Sequence, residues 1–366
     1  MRRRPTRHPA ADLGAPPDWS ALRRVLVVRA DNLGDVVLTS PAIRALRRVA
    51  PRAAIDLLVS PVGASVAALV PGVSEVLTVS AVWQQAGVPP RPADELAEEE
   101  RLLVTRLRAR SYDAMIVFTS HSQSPWVAAH VGMLAGVGVR AVHSTEFSGA
   151  VATHWVTPPP QGGHQVDRCL HLLAALGVPP AGVGLELDIP PLARALPHLC
   201  VVLAPGGSCP SKRYSPPRFA TVARLLADAG LAVLVTGSPR EAALVDEVVA
   251  GAAHPGVTPL GDVGVPQLAA TIAAADLVVC NNSGCLHLAD AAGTPVVCTY
   301  AGTEARTEMP PRTAPARLLY RRVSCAPCRQ FRCPYQQECL DVTPEEVAAE
   351  ALRLFAIRPR REAVTG

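Results

Sequence analysis

Three short stretches hold the side chains best suited to chemistry. In Asp31-Asn32-Leu33-Gly34-Asp35 two carboxylates lie four residues apart, around a glycine that lets the backbone bend sharply. Asp35 at a cleft rim could take a proton from a hydroxyl as a general base. The plain structural alternative is an acidic residue in the first turn of a helix, where it caps the chain and meets the positive end of the dipole. The second stretch is Ala204-Pro205-Gly206-Gly207-Ser208-Cys209-Pro210-Ser211-Lys212-Arg213-Tyr214. Paired glycines let backbone N–H groups approach an anion, and Lys212 adds a compact positive charge. The GxxxxGK[ST] spacing of a Walker A loop is absent, and a solvated turn is the alternative. The third is Asn281-Asn282-Ser283-Gly284-Cys285-Leu286-His287. Small polar residues there precede a helix whose free N–H groups can hold a phosphate, with His287 in the first turn. The glycosylation sequon at Asn281 means little in a buried loop.

Those loops need a frame to converge on. The chain has 366 residues, 49% apolar but only 4% aromatic, so Ala, Val and Leu must fill its cores. That length fits two domains better than one. Short apolar runs at 25–29, 55–60, 75–79 and 113–119 alternate with helical stretches at 36–49, 61–70, 93–110 and 126–134. After a break at 157–163 and a helix at 165–176, strands follow at 201–204, 232–236, 277–281 and 295–300. Helices at 217–229, 240–250, 265–275, 286–292 and 344–355 separate or follow them. Such alternation implies parallel sheets covered on both faces. The predicted architecture is α/β, with two doubly wound, Rossmann-like domains facing a central cleft. Its boundaries read as a basic flexible tail at 1–24, an N-terminal domain at 25–180 and a Pro-rich linker at 181–198. A C-terminal domain at 199–343 and a final helix and tail at 344–366 complete the chain. All three loops fall at strand carboxyl ends, where such sheets bind ligands.

A net charge of +4 is mild and gives no sign of a nucleic-acid partner. Lys212 is the single lysine among 35 Lys and Arg residues. Where composition has replaced lysine by arginine everywhere else, the survivor marks a position that needs an ammonium. No apolar run approaches the ~20 residues needed to span a bilayer. The opening MRRRPTRHPA lacks the apolar stretch of a secretory signal. It reads as a frayed tail, with a weak contact to anionic lipid as the alternative. The expectation is a cytoplasmic protein, with peripheral contact at the inner face of the membrane.

Of the ten cysteines, Cys325, Cys328, Cys333 and Cys339 fall within fifteen residues. Four thiolates there could hold a structural zinc, although the spacing is looser than a pair of CxxC knuckles; disulfides and plain packing are the alternatives. Arg321, Arg322, Arg329 and Arg332 around them could meet a phosphorylated or carboxylated acceptor, or form an ordinary solvated face.

The segments VLVVRADNLGDVVLTSPAIRAL, APGGSCPSKRYSPPRF and DLVVCNNSGCLHLADAAGTPVV resemble, in order and spacing, the hallmarks of glycosyltransferase family nine. These are heptosyltransferases that use ADP-heptose to build the lipopolysaccharide inner core. The resemblance runs from Val25 to the C-terminal helix. It implies a GT-B fold with the donor held mainly by the C-terminal domain and the acceptor by the N-terminal one. It also implies inversion at the anomeric carbon with no cofactor and no catalytic metal. Carried over by position, Asp35 beside Gly34 resembles the general base. Lys212, with Gly207 and Ser208, resembles the group on the donor phosphates. Ser283, Gly284 and His287 resemble the diphosphate-binding helix start, Glu241 a ribose-binding acid, and Val263 a position near the nucleobase edge. The chemistry agrees, since Lys212 and a helix end can stabilise a departing diphosphate, and domain closure would exclude water. Family members commonly have Asp-Ser-Gly or Asp-Thr-Gly where this chain has Asn282-Ser283-Gly284, so a carboxamide replaces a charge that would face the donor sugar. The expected partners are a nucleotide-sugar donor and an anionic glycan or glycolipid acceptor. A nucleotide-sugar epimerase of the same architecture, or a binding protein that has lost catalysis, are the competing functions.

Overall fold

The computed structural model describes residues 15–84, 89, 91–120, 123–147, 149–160 and 163–357. Most of the basic opening and the last nine residues thus lie outside the described residues. The chain divides into two compact units, Met1–Val183 and Gly184–Gly366.

The first unit carries β1 (Arg24–Arg29), β2 (Ala54–Val59), β3 (Glu75–Thr78), β4 (Ala114–Val117), β5 (Val139–His143) and β6 (His154–Val156). All neighbours pair in parallel, in the order β3-β2-β1-β4-β5-β6. Around them run α1 (Leu33–Val37), α2 (Ser40–Val49), α3 (Pro61–Ala67), α4 (Ala93–Ala109), α5 (Trp126–Leu134) and α6 (Gln165–Ala175). β1 is buried at every residue but its first, the continuous apolar run that a strand covered on both faces requires.

The second unit repeats the plan with β7 (Cys200–Ala204), β8 (Ala232–Val235), β9 (Val257–Pro259), β10 (Leu277–Asn281), β11 (Val296–Thr299) and β12 (Ala316–Leu319). Its parallel order is β9-β8-β7-β10-β11-β12. Its helices are α7 (Pro216–Asp228), α8 (Ala242–Ala252), α9 (Val265–Ala274), α10 (Gly284–Ala292) and α11 (Pro344–Ile357). α11 is part of this core and not an appendage: Val347, Ala348, Ala351 and Leu354 are buried against the α7 side of the sheet. Of these, Val347 and Leu354 each contribute about 1.5–3 kcal/mol relative to exposure.

In both units the first strand lies beside the fourth, which is the Rossmann order with its reversal of strand progression at that pair. The loops leaving β1 and β4, and those leaving β7 and β10, therefore open at a reversal point. All three chemistry-bearing stretches are among these four loops.

The structure departs from the sequence pattern in a few places, each with a physical reason. The single helix at 36–49 is two helices, α1 and α2, because Pro41 lacks an N–H and would clash with the carbonyl four residues earlier; it sits instead in the first turn of α2. Strands β5, β6, β9 and β12 escape the pattern, being short and mixed with Arg, His or Thr. The packed body also begins upstream of Val25: Trp19 is buried, and its indole N–H donates to the Leu176 carbonyl at 2.9 Å. Within the 181–198 stretch, Arg44 holds the Ala181 carbonyl (3.1 Å), whereas the Ala193 N–H binds Gln267 in the second unit (3.0 Å).

Candidate functional site

In the first unit the β1 loop is organised by Arg29, the last residue of the strand. It is fully buried, with Nε 3.0 Å from an Asp31 carboxylate oxygen and Nη2 2.8 Å from Asp35 Oδ1. Burial opposes the Arg29 charge, but Asp31 and Asp35 hold the guanidinium protonated well above its ordinary range. Asp35 is the third residue of α1, and its Oδ2 accepts the Asn32 N–H at 3.2 Å. The capping role and a position on a buried charge relay thus coexist in one side chain. The loop after β4 completes the cluster. Arg29 donates to the Ser120 hydroxyl at 3.0 Å, Ser120 donates to Asp35 Oδ1 at 3.3 Å, and Gln123 donates to Asp31. Burial pushes the Asp31 carboxyl up to about 6, against the pull of Arg29 and with the like charge of Asp35 adding to the rise. Two carboxylates sharing one guanidinium, one of them part-exposed at a helix start, can hold and release a proton near neutrality.

In the second unit Asn281, at the end of β10 and fully buried, fastens the two loops together. Its Nδ2 donates to the carbonyls of Pro205 (2.8 Å) and Gly206 (3.0 Å). Its Oδ1 accepts the Tyr214 N–H (3.0 Å) and the Thr299 hydroxyl (2.8 Å). Lys212, largely buried in a short 3-10 turn, points its ammonium at Glu304 Oε1, 2.5 Å away. The other Glu304 oxygen accepts from Asn282 Nδ2 at 2.9 Å and from the Thr303 hydroxyl. α10 begins at Gly284 with Ser283 as its cap residue in extended conformation, and the buried His287 lies in its first turn. Lys212, Asn282, Ser283 and Gly284 are thereby gathered at one edge, where positive charge meets a helix N-terminus.

Other expected residues take different places. Glu241 accepts the Gly207 N–H at 3.1 Å through Oε1, and the Ser238 N–H (3.0 Å) and hydroxyl (2.8 Å) through Oε2. Gly207 also gives its carbonyl to Arg213 (3.0 and 3.1 Å), so its amide and carbonyl stabilise the loop; Ser208 is exposed beside it. Val263 lines a separate groove with Leu196, Thr258 and Gln267, apart from the Lys212 cluster. The four clustered cysteines are free thiols, Cys325 exposed and the rest partly so. Among the described residues no three His, Cys, Asp or Glu side chains are gathered as a metal-holding group.

Arg29, Ser120, Gln123 and Glu304 are absent from the sequence expectations. Arg29 had one legible signal, a charge closing an otherwise apolar buried run; Glu304 had none.

Two doubly wound parallel units, each with polar loops at its reversal point, define a GT-B type α/β protein. The family model for glycosyltransferase family 9 (heptosyltransferase) matches residues 101–338, and the chain belongs to that family. It is similar to a lipopolysaccharide heptosyltransferase 3 of Escherichia coli, 28% identical over 289 residues that cover 74% of this chain and 81% of the relative. It is also similar to lipopolysaccharide heptosyltransferase 1 of Pseudomonas aeruginosa, 27% identical over 331 residues, 86% of this chain and 88% of the relative. The solved structure of the E. coli ADP-heptose lipopolysaccharide heptosyltransferase II matches with a TM-score of 0.71 at 22% identity, covering 91% of this chain and 98% of that one. The protein is therefore a glycosyltransferase, and the epimerase alternative is set aside.

Proposed function

We propose that this chain transfers heptose from ADP-heptose to a hydroxyl of a lipopolysaccharide-type glycolipid, inverting the anomeric centre without a catalytic metal. The observation that carries the reading is the Lys212–Glu304–Asn282 cluster beside the start of α10. A buried ammonium held by a carboxylate at a strand reversal suits a diphosphate, whose oxygens can take over the contact that Glu304 makes. Lys212 and the α10 N-terminus then stabilise the negative charge that grows on the departing ADP.

On the first unit Asp35 accepts the acceptor hydroxyl's proton as its oxygen attacks the anomeric carbon and the bond to ADP breaks. Arg29 pairs with Asp35 before the step, and Ser120 donates to the same oxygen. A direct displacement of this kind yields inverted product. Among the described residues no helix is long and apolar enough to cross a membrane; we place the reaction in the cytoplasm, with the glycolipid reached from the inner membrane face.

The test is a transfer assay with ADP-heptose and a heptose-free inner-core acceptor, with the product's anomeric configuration read by NMR. Inverted product formed equally with and without chelator is expected. Retained configuration, or activity abolished by chelator and rescued by a divalent ion, refutes the mechanism. Nucleotide-sugar binding without transfer to any acceptor would support a chain that has kept only the pocket.

A further inference from the structure

A second cavity of about 520 Å³ opens beside the donor cluster, at the carboxyl ends of β11 and β12. That is within the range that encloses a small ligand such as a mono- or disaccharide. Glu304 lies on its wall, turned to Lys212, so its charge is already compensated. Arg306, Arg321 and Arg322 also line the cavity. Arg321 pairs with Glu346. Arg306 donates to the Tyr320 hydroxyl and lies over the Tyr320 ring, its guanidinium carbon 4.0 Å from the centroid. Among the described residues neither Arg306 nor Arg322 has a carboxylate partner. Two guanidinium groups without a carboxylate partner, around a sugar-sized space, are a recognition set for a sugar that carries an oxyanion.

The cysteine-bearing segment, which the donor chemistry leaves unused, builds this cavity and ties it to the donor loop. Ala326 and Pro327 line it. The N–H groups of Cys328 and Arg329 hold the carbonyls of Gly302 (2.9 Å) and Thr303 (3.1 Å), just before Glu304. Arg329 grips the buried Glu308 through both nitrogens, at 2.7 and 2.5 Å. At its other end the segment meets the Lys212 turn: the Ser211 N–H donates to the Phe331 carbonyl at 3.2 Å, and Gln337 donates to the Pro210 carbonyl at 2.9 Å. One stretch of chain therefore touches both the cavity rim and the backbone beside Lys212.

We propose that this cavity is an oxyanion-sugar site, which holds a phosphate ester or carboxylate of the acceptor glycan. The oxyanion site follows from the cavity itself; its assignment to the acceptor rests on the transferase reading above.

The test is isothermal titration calorimetry of the full chain with glucose 6-phosphate, glucuronate and glucose, each with and without saturating ADP. The charged sugars bind in the presence of ADP, and glucose does not. Arg306→Ala combined with Arg322→Ala lowers their affinity about tenfold or more and leaves ADP affinity unchanged. Preference for the phosphate or for the carboxylate names which oxyanion the site reads. Equal binding of glucose, wild-type affinity in the double variant, or displacement of the charged sugar by ADP would each overturn the proposal. Failure of ADP itself to bind would count against the nucleotide-sugar reading while the sugar titrations still decide the cavity.

Discussion

The Asn282 carboxamide donates to Glu304 at 2.9 Å and accepts the Ala301 N–H at 3.1 Å, so both of its ends are fixed. An aspartate at 282 could accept from Ala301 but would set a second carboxylate against Glu304 at hydrogen-bond distance. In this chain the carboxylate beside the Asn282-Ser283-Gly284 stretch is Glu304, next to Lys212. Asn282→Asp should therefore lower kcat/KM by roughly ten- to a hundredfold, the scale of like-charge contact in a partly buried site. Adding Glu304→Gln to Asn282→Asp should recover much of that loss, because one charge and one amide are restored in exchanged positions. A double-mutant cycle on kcat/KM checks this; additive losses would show that the two side chains do not act as a pair.

Lys212 is held by Glu304 in a turn whose backbone is tied to Gln337 and Phe331. Lys212→Ala should weaken ADP binding and slow transfer by roughly a hundredfold, since it removes a charge-assisted contact made where charge develops. Lys212→Arg should recover only part, because a planar fork does not fit where a single ammonium meets Glu304. Calorimetric ADP affinity and single-turnover rates separate the two effects, and full activity in Lys212→Arg would remove the reason for the sole lysine.

The Arg29 cluster predicts a particular acid limb. Below about 6 Asp31 is protonated, so Arg29 turns wholly to Asp35 and ties up the oxygen that would take the acceptor's proton. As pH rises through 6, Asp31 ionises, shares the guanidinium, and the transfer rate rises. Asp31→Asn should leave a lower rate without that limb, whereas Asp35→Asn should abolish transfer with ADP affinity near normal. Rate profiles from pH 5 to 8 on both variants test this; an unchanged limb in Asp31→Asn, or substantial transfer by Asp35→Asn, would contradict it.

Much of this was legible from residue types alone, and the limits have a physical pattern. The Asp31–Asp35 and Gly206–Lys212 stretches announce themselves because glycine and charge are unusual after a buried strand, and the reversal point of the sheet brings their loops to one edge. Ser120, Gln123 and Glu304 do not, because each acts across 22 to 92 residues of sequence and none has a local pattern of its own. Glu241 shows a role that its sequence position does not reveal. Its position after β8 matches a ribose-binding acid, yet here both carboxylate oxygens serve the turn around Gly207 and Ser238.

His143 gives a stability prediction in the first unit. It is buried with Nε2 3.1 Å from His171 Nδ1, and burial, then Arg168 and His171, push its pKa down to about 3. The unfolded chain binds this proton from pH 6.5 downward while the native state resists it. The associated stability is therefore full above pH 6.5 and is lost as pH falls toward 3. His143→Gln should flatten the acid-side decline in Tm, by about 2–4 °C for each kcal/mol of linkage removed. Calorimetric scans at pH 7 and pH 5 decide it, and parallel declines for both proteins would mean that the proton is taken up elsewhere.

Gly206 tests whether the Gly-rich loop must lie against Glu241 for the donor site to form. A methyl group added at Gly206 would sit 2.4 Å from Glu241 Oε1, well inside van der Waals contact, and Glu241 is anchored through Oε2 to Ser238. Glu241 can make room only by releasing Ser238 and Gly207, so Gly206→Ala either breaks that clamp or shifts the loop whose Pro205 and Gly206 carbonyls are held by Asn281. Lys212 follows six residues on, so the shift should appear as weaker ADP binding, about tenfold, with only a modest loss of Tm. Combining Gly206→Ala with Glu241→Ala opens the space and should regain loop position, although it gives up the Glu241 clamp on Gly207. ADP titrations of the single and double variants distinguish the cases: a double variant weaker than Gly206→Ala alone would show that the clamp matters more than the collision.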